Sequence, residues 1–294
     1  VRFKGKISGP YAFVEMRCQR LHPQVISFLV RLRLHFDQAE IWMKHPAVRW
    51  AIVLTNLLML SFSTRAAEVS VAVAANFAVP MKAIAQKFER DTGHRAVLSF
   101  GSTGHFYSQI KHGAPYAILL AADVATPLKL EEEGFGVRGS RFTYATGRLV
   151  LWSKKAGLVD AEGEVLTSDK FDKIAIADPK LAPYGRAAIE VMRKMGVTKK
   201  ISAKIVQGAN IGQAFQFVSS QNATLGFIAL SQVSSQGEIR EGSGWIVPTT
   251  LHSPIKQDAV LLVKGRDNPA AAALMKYLQT EKVRAVIQSS GYAP

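Results

Sequence analysis

The sequence predicts an α/β protein of two lobes, each a mostly parallel sheet flanked by helices, with a cleft between them. Three observations carry this. Short apolar runs of strand length alternate with segments of helical period from residue 69 to the C-terminus. The order strand, small polar turn, helix occurs twice before residue 112 and twice again after residue 172, a likeness of layout rather than a repeat of fixed period. A further strand and two helices follow the second such unit. The economical topology returns them to the first lobe, so the chain crosses between lobes, and such interfaces are where small-ligand sites form.

The first unit is Val69–Gly104, VSVAVAANFAVPMKAIAQKFERDTGHRAVLSFGSTG. Val69, Val71 and Val73 alternate as in a strand, which ends in the turn Ala74-Ala75-Asn76. Met81, Ile84, Ala85 and Phe88 then share one helical face, and Gly93 separates them from a strand at residues 96–100. A second polar turn, Gly101-Ser102-Thr103-Gly104, leads into helical sequence at residues 105–111. AILLAA at 117–122 is short enough for a buried strand, and residues 124–133 read as a helix stopped by Gly134. Two strands at 142–144 and 149–152 flank Gly147-Arg148.

The second unit opens near Arg148. It has a strand at 173–177, the turn-rich DPKLAPYG at 178–185, and a helix at 186–195 closed by Gly196. A strand at 204–207, the turn Gly208-Ala209-Asn210, a helix at 211–220 with Phe215 and Val218 inward, and a strand at 225–228 complete it. Residues 256–263 form another strand, and 269–278 and 281–289 are helices. The last presents Val283, Val286 and Ile287 as a face for packing on the sheet. The expected division is lobe 1 at 68–147 and 253–294, and lobe 2 at 148–252.

The formal net charge is +15. Residues 1–67 hold ten basic and three acidic side chains, so nearly half the excess lies in the first quarter. The remainder is dispersed, without a basic block or an RNA-type aromatic motif, which argues against nucleic acid as a partner. Residues 43–67 have the parts of a secretory signal peptide: Lys44 and Arg49, the apolar run Trp50–Phe62, and small residues around Ala66-Ala67. The apolar run falls short of the ~20 residues a membrane span needs. A signal peptide works only at an N-terminus, so Met43 is the expected start and residues 1–42 an upstream extension of the gene call. Cys18, the single cysteine, lies in that extension. The mature chain is thus expected to carry no disulfide, thiolate nucleophile or cysteine-based metal site, which suits export.

No catalytic constellation emerges. His94, His105, His112 and His252 lack metal-binding spacing, and there is no nucleophile elbow, dinucleotide fingerprint or phosphate loop. Glu131-Glu132-Glu133 reads as a solvated helix end, and Asp123 and Asp178, each directly after a strand, as capping or hinge groups. The expectation is a non-enzyme without a cofactor. Four polar loops share one geometry instead. Ala75-Asn76, Ser102-Thr103-Gly104, Tyr184-Gly185 and Asn210-Ile211-Gly212 each precede a helix. Ser, Thr and Asn cap helices anyway. Two such loops per lobe, free of Asp, Glu, Lys and Arg, describe an uncharged site in which helix N-termini converge on an anion.

At these residues the chain resembles the molybdate-binding proteins, the periplasmic receptors of molybdate ABC importers. The landmarks are VAVAANF (71–77), LSFGSTG (98–104), GAP (113–115), AAD (121–123), ATGRLVLWS (145–153), ADPKLAPYGRAA (177–188), ATLGFIALSQV (223–233) and SSGY (289–292). The resemblance implies the type II periplasmic-binding-protein fold, closing on molybdate, with tungstate accepted, and delivery to a membrane permease by a monomer. It places the first-turn ligand on Asn76, with a backbone contact from Ala75, and the second on Thr103, beside Ser102. The third and fourth fall on the backbone N–H groups of Tyr184 and Ile211. Two positions depart from the family pattern. Ala229 stands where some relatives have a further tyrosine, and Ala117 where an aspartate is usual. The alternative function is a receptor for another tetrahedral oxyanion such as sulfate or phosphate.

Overall fold

A computed structural model describes residues 66–293. The extension at 1–42, Cys18 and all but the end of the leader lie outside the described residues. In chain order the strands are β1 (Glu68–Ala74), β2 (Arg95–Gly101), β3 (Ile118–Leu120), β4 (Phe142–Gly147), β5 (Leu149–Ser153) and β6 (Ile174–Ala177). They continue as β7 (Ile205–Gly208), β8 (Leu225–Ala229), β9 (Ser234–Ser235), β10 (Glu238–Ile239), β11 (Ser243–Ile246) and β12 (Ile255–Leu261). The helices are α1 (Ala78–Thr92), α2 (Thr103–Lys111), α3 (Ala125–Glu132), α4 (Pro183–Lys194), α5 (Thr198–Ile201), α6 (Ile211–Ser219), α7 (Pro269–Tyr277) and α8 (Glu281–Ser289).

Two five-stranded sheets define two lobes. One runs β2-β1-β3-β12-β4 and the other β11-β5-β8-β6-β7; β9 and β10 form a separate hairpin. In lobe 1, β1 is parallel to β2 and β3, as the strand–helix–strand order demands. In lobe 2, β6 is likewise parallel to β7 and β8. The outer two strands of each sheet differ. β12 is antiparallel to β3 and β4, and β5 is antiparallel to β8 and β11. These are the strands by which the chain passes between lobes. β4 and β5 are joined through Arg148 alone, and each belongs to a different sheet.

Each lobe has its own core. Val69, Val71, Val73, Ile118 and Leu120 pack with Phe77, Met81, Ile84 and Phe88 of the first turn and α1. Leu149, Leu151, Ile174, Ile176, Phe227 and Ile228 pack with Ala188, Val191 and Met192 of α4. The helix α1 ends on Gly93 at φ +74°, a left-handed cap that favours glycine.

Three sequence expectations are revised. The helix α8 does bury Val283 and Ile287, but against α1 rather than on the sheet, because α1 already covers that face. Glu131-Glu132-Glu133 is not simply a solvated end. Glu131 is buried and accepts from the Arg141 N–H, while Glu133 accepts from Tyr107 and Lys111. The helix α4 starts earlier than its apolar period suggests. Pro183 opens it with φ already set for a helix, which places Tyr184 and Gly185 inside the first turn.

Candidate functional site

The strand register positions the site. β1 and β2 end level with one another, Ala74 opposite Gly101, and β6 and β7 end level at Ala177 and Gly208. Strand neighbours lie about 4.8 Å apart, so the two polar turns of each lobe emerge side by side from their sheet. The turn after β1 is a single 3₁₀ turn, Ala75–Phe77, that runs into α1. The turn after β2 opens α2, that after β6 leads to α4, and that after β7 opens α6. The first N–H groups of a helix have no intrahelical acceptor and sit at its positive end.

The two lobes meet along these helix starts. Gly104, in the first turn of α2, donates its N–H to the Leu181 carbonyl just before α4, at 2.9 Å. A methyl on Gly212, in the first turn of α6, would lie 3.5 Å from the Ala75 Cβ. Of the candidate residues, Asn76, Ser102, Thr103, Tyr184 and Ile211 are buried, and Ala75 is partly so.

Each residue has a definite state. Ser102 caps α2, accepting from the His105 N–H. Asn210 caps α6 by accepting from the Gln213 N–H, and the Ile211 carbonyl is held by Gln232. The Thr103 Oγ1 accepts the Ala122 N–H at 2.9 Å, so its own proton points elsewhere and is available to a ligand. The side chain of Asn76 is already engaged. Both amide protons of its side chain are committed, one to Gln257 Oε1 at 2.8 Å and one to the Tyr292 hydroxyl at 3.0 Å. What it keeps for a ligand is the main-chain N–H of its turn.

The residues holding Asn76 form a buried neutral network that sequence reasoning did not anticipate. Gln257 on β12 is fully buried; its Oε1 also faces the Tyr144 hydroxyl at 3.0 Å, and its Nε2 donates to the Tyr184 hydroxyl at 3.2 Å. The Asn76 carbonyl accepts from both Ser231 Oγ and Tyr292, each at 2.8 Å. The network thus ties the first turn to β4, β12, α4 and the C-terminus. Burial pushes the phenols of Tyr144, Tyr184 and Tyr292 above their ordinary value, so all three stay neutral. Asp123 and Asp178 act as expected of capping groups, accepting the N–H of Thr126 and Lys180. Asp123 also pairs with Arg186 at 2.8 Å.

The arrangement can hold an anion by neutral donors. The candidate residues include no group able to take up or release a proton near neutrality. Among the described residues no group of three or more His, Cys, Asp or Glu is placed to hold a metal ion. No helix among them is long and apolar enough to cross a membrane.

Two α/β lobes whose helix N-termini meet across a seam have the makings of a solute receptor. The family model for bacterial extracellular solute-binding proteins matches residues 69–293, and the chain belongs to that family. The expected resemblance to molybdate-binding proteins also holds. The chain is 57% identical over 241 residues to the molybdate-binding protein ModA of Azotobacter vinelandii, covering 82% of this chain and 96% of the relative. It is 47% identical over 242 residues to ModA of Rhodobacter capsulatus, covering 82% and 94%. The solved periplasmic molybdate-binding protein of Azotobacter vinelandii superposes with a TM-score of 0.74 at 40% identity, covering 77% of this chain and 99% of that one.

Proposed function

We propose that this protein is a periplasmic receptor that captures molybdate, accepts tungstate, and delivers the anion to the membrane permease of an ABC importer. The observation that supports this reading is the contact of helix starts from the two lobes, α2 with the segment just before α4 and the turn before α1 with α6. The named relatives supply the choice of anion. In this reading the ligand is held by the main-chain N–H groups of Ala75, Asn76, Tyr184 and Ile211 and by the hydroxyls of Ser102 and Thr103. Lobe 1 is residues 68–147 and 253–294, and lobe 2 is 148–252.

The physical logic is that of a dry cleft. Neutral donors at ~2.7–3.2 Å are each stronger there than in water, and together they offset the loss of the dianion's hydration. A donor set fixed by rigid elements also selects by size, because it cannot contract onto a smaller tetrahedral dianion such as sulfate without strain. Calorimetric titration of residues 68–294 with molybdate, tungstate, sulfate and phosphate tests this. Tight molybdate and tungstate binding with sulfate and phosphate silent is expected. Binding of sulfate or phosphate in preference would replace the anion; binding of none would reduce the four loops to helix caps.

A further inference from the structure

Beyond the donor set, the two lobes are joined by a charged contact at the rim. Asp123 follows β3 in lobe 1 and Arg186 lies on α4 in lobe 2; Arg186 Nη2 and Asp123 Oδ2 are 2.8 Å apart. Immediately beside them is the Gly104 N–H to Leu181 carbonyl bond, also from lobe to lobe. A small recess of about 180 Å³ straddles this seam. Its walls include Gly104, Leu181, Asp123 and Arg186, together with Lys129 and Lys180. Asp123 is therefore the single carboxylate among three cations there. The carboxylate is anchored at its other oxygen by the Thr126 N–H, and its side chain is 16% exposed against 47% for Arg186. One partner is fixed and nearly buried; the other reaches across from the second lobe.

We infer that the Asp123–Arg186 pair is a closure clasp that sets how long the receptor stays shut on its ligand. Neither residue is among the proposed ligand donors, so they are positioning residues, and the inference rests on the receptor reading above. The clasp exists only when the lobes are together. Its energy therefore adds to the closed state and leaves the open state unchanged, which is the condition for shifting a two-state equilibrium. A partly exposed ion pair is a modest contribution, and its effect falls on release, which requires the seam to part.

The test uses Asp123→Asn, Arg186→Gln and the double variant, with stopped-flow measurement of molybdate association and dissociation. Asn keeps the oxygen that the Thr126 N–H requires, so the fold of α3 is preserved. Each single variant should release molybdate about two- to fivefold faster, with association little changed. The double variant should release no faster than the faster single, since one interaction is lost in all three. Raising salt should speed release from the wild type and not from the double variant. The ratio of molybdate to tungstate affinity should stay constant, because the donors are untouched. Unchanged release rates, or single effects that add in the double variant, would overturn the clasp while leaving the receptor reading intact. A wild type that binds only sulfate would overturn the choice of anion, and the same comparison made with sulfate would then judge the clasp. A wild type that binds none of molybdate, sulfate and phosphate would remove the receptor reading and the clasp together.

Discussion

Replacing Thr103 by Val separates the two tasks of one buried hydroxyl. The shape is nearly kept, so no cavity term enters. The first consequence concerns the protein alone. Ala122 is buried and its N–H has the Thr103 Oγ1 as acceptor at 2.9 Å. Stranding a buried donor costs about 1–3 kcal/mol, so the ligand-free protein should melt several degrees lower. The second consequence concerns the complex. The hydroxyl accepts from Ala122, and in the proposed function its proton is given to a ligand oxygen. A hydrogen bond to a charged acceptor contributes about 1.5–3 kcal/mol, so molybdate affinity should fall by roughly 10- to 150-fold. Thr103→Ser keeps the oxygen and loses a methyl. It should cost about 1 kcal/mol of stability and keep most of the affinity. Thermal melts without ligand and calorimetric titration with molybdate read the two effects separately. If Thr103→Val melts lower yet binds as tightly as the wild type, the hydroxyl only supports the Ala122 loop and is no ligand donor. If Thr103→Ser loses affinity equally, the methyl rather than the hydroxyl matters, and the donor argument fails.

Gly104→Ala should weaken molybdate binding tenfold or so while leaving the ligand-free melting temperature nearly unchanged. The added methyl would sit 3.1 Å from both the Cα and the carbonyl oxygen of Leu181 in the opposite lobe, obstructing closure alone; a variant with undiminished affinity would show that the seam yields. Gln257→Leu should cost about 2–4 kcal/mol in urea denaturation, since it removes the acceptor of one Asn76 amide proton and the donor to Tyr184 in a dry environment, while Tyr144 keeps the Ala121 carbonyl as acceptor. A loss below 1 kcal/mol would mean that water replaces the amide. Stability should also fall at alkaline pH. Tyr277 is pushed up to about 12 by burial and its bond to Asp91, and burial raises Tyr144, Tyr184 and Tyr292 as well. The unfolded chain releases these protons from the ordinary value of 10.0, whereas the folded chain holds them. The contribution is thus complete below pH 10 and lost as pH rises toward the folded values. Urea midpoints at pH 8 and pH 11 should differ, and Tyr292→Phe should flatten the difference; a slope unaffected by that substitution would exclude this phenol as a contributor.

The sequence disclosed the strands and the four turns because their signals are local. Alternation at Val69, Val71 and Val73 needs no tertiary context, and a small polar turn between a strand and a helical period has few other readings. The supporting network was hidden because its members are distant in the chain. Gln257 and Tyr292 meet Asn76 only after the chain has passed through the second sheet and returned, and Tyr144 joins them through Gln257. A signal was nevertheless present. The strand β12 reads IKQDAVL, with three polar residues in a row where an inner strand should be apolar. Lys256 is exposed, but the other two are fully buried, Gln257 in the network and Asp258 against Arg141 and Thr143. The engagement of the Asn76 side chain was hidden for a related reason. An asparagine at a helix start looks like a donor to whatever lies beyond, and only packing shows that its protons are already used. The strand β11 and the hairpin β9–β10 escaped because they are short and carry glycine or serine in place of an alternating apolar pattern.

The place of β12 in its sheet bears on the order in which the molecule is built. β12 lies between β3 and β4, and β4 has no other neighbour in the sheet. Gly147 pairs with Ile255, and the whole of the second sheet lies between them in the chain. The edge of lobe 1 therefore stays unfinished until nearly all the polypeptide is available, while lobe 2, one continuous segment, can fold without it. Pairing across so long a loop is slow, because its closure entropy is spent before any contact is gained. Refolding should accordingly protect the amides of β6 and β8 before those of β4 in pulse-labelled hydrogen exchange; the reverse order would show that lobe 1 assembles around a temporary edge. A chain whose first lobe is completed last remains incompletely folded through most of its synthesis, which is the state in which a polypeptide can still be threaded across a membrane.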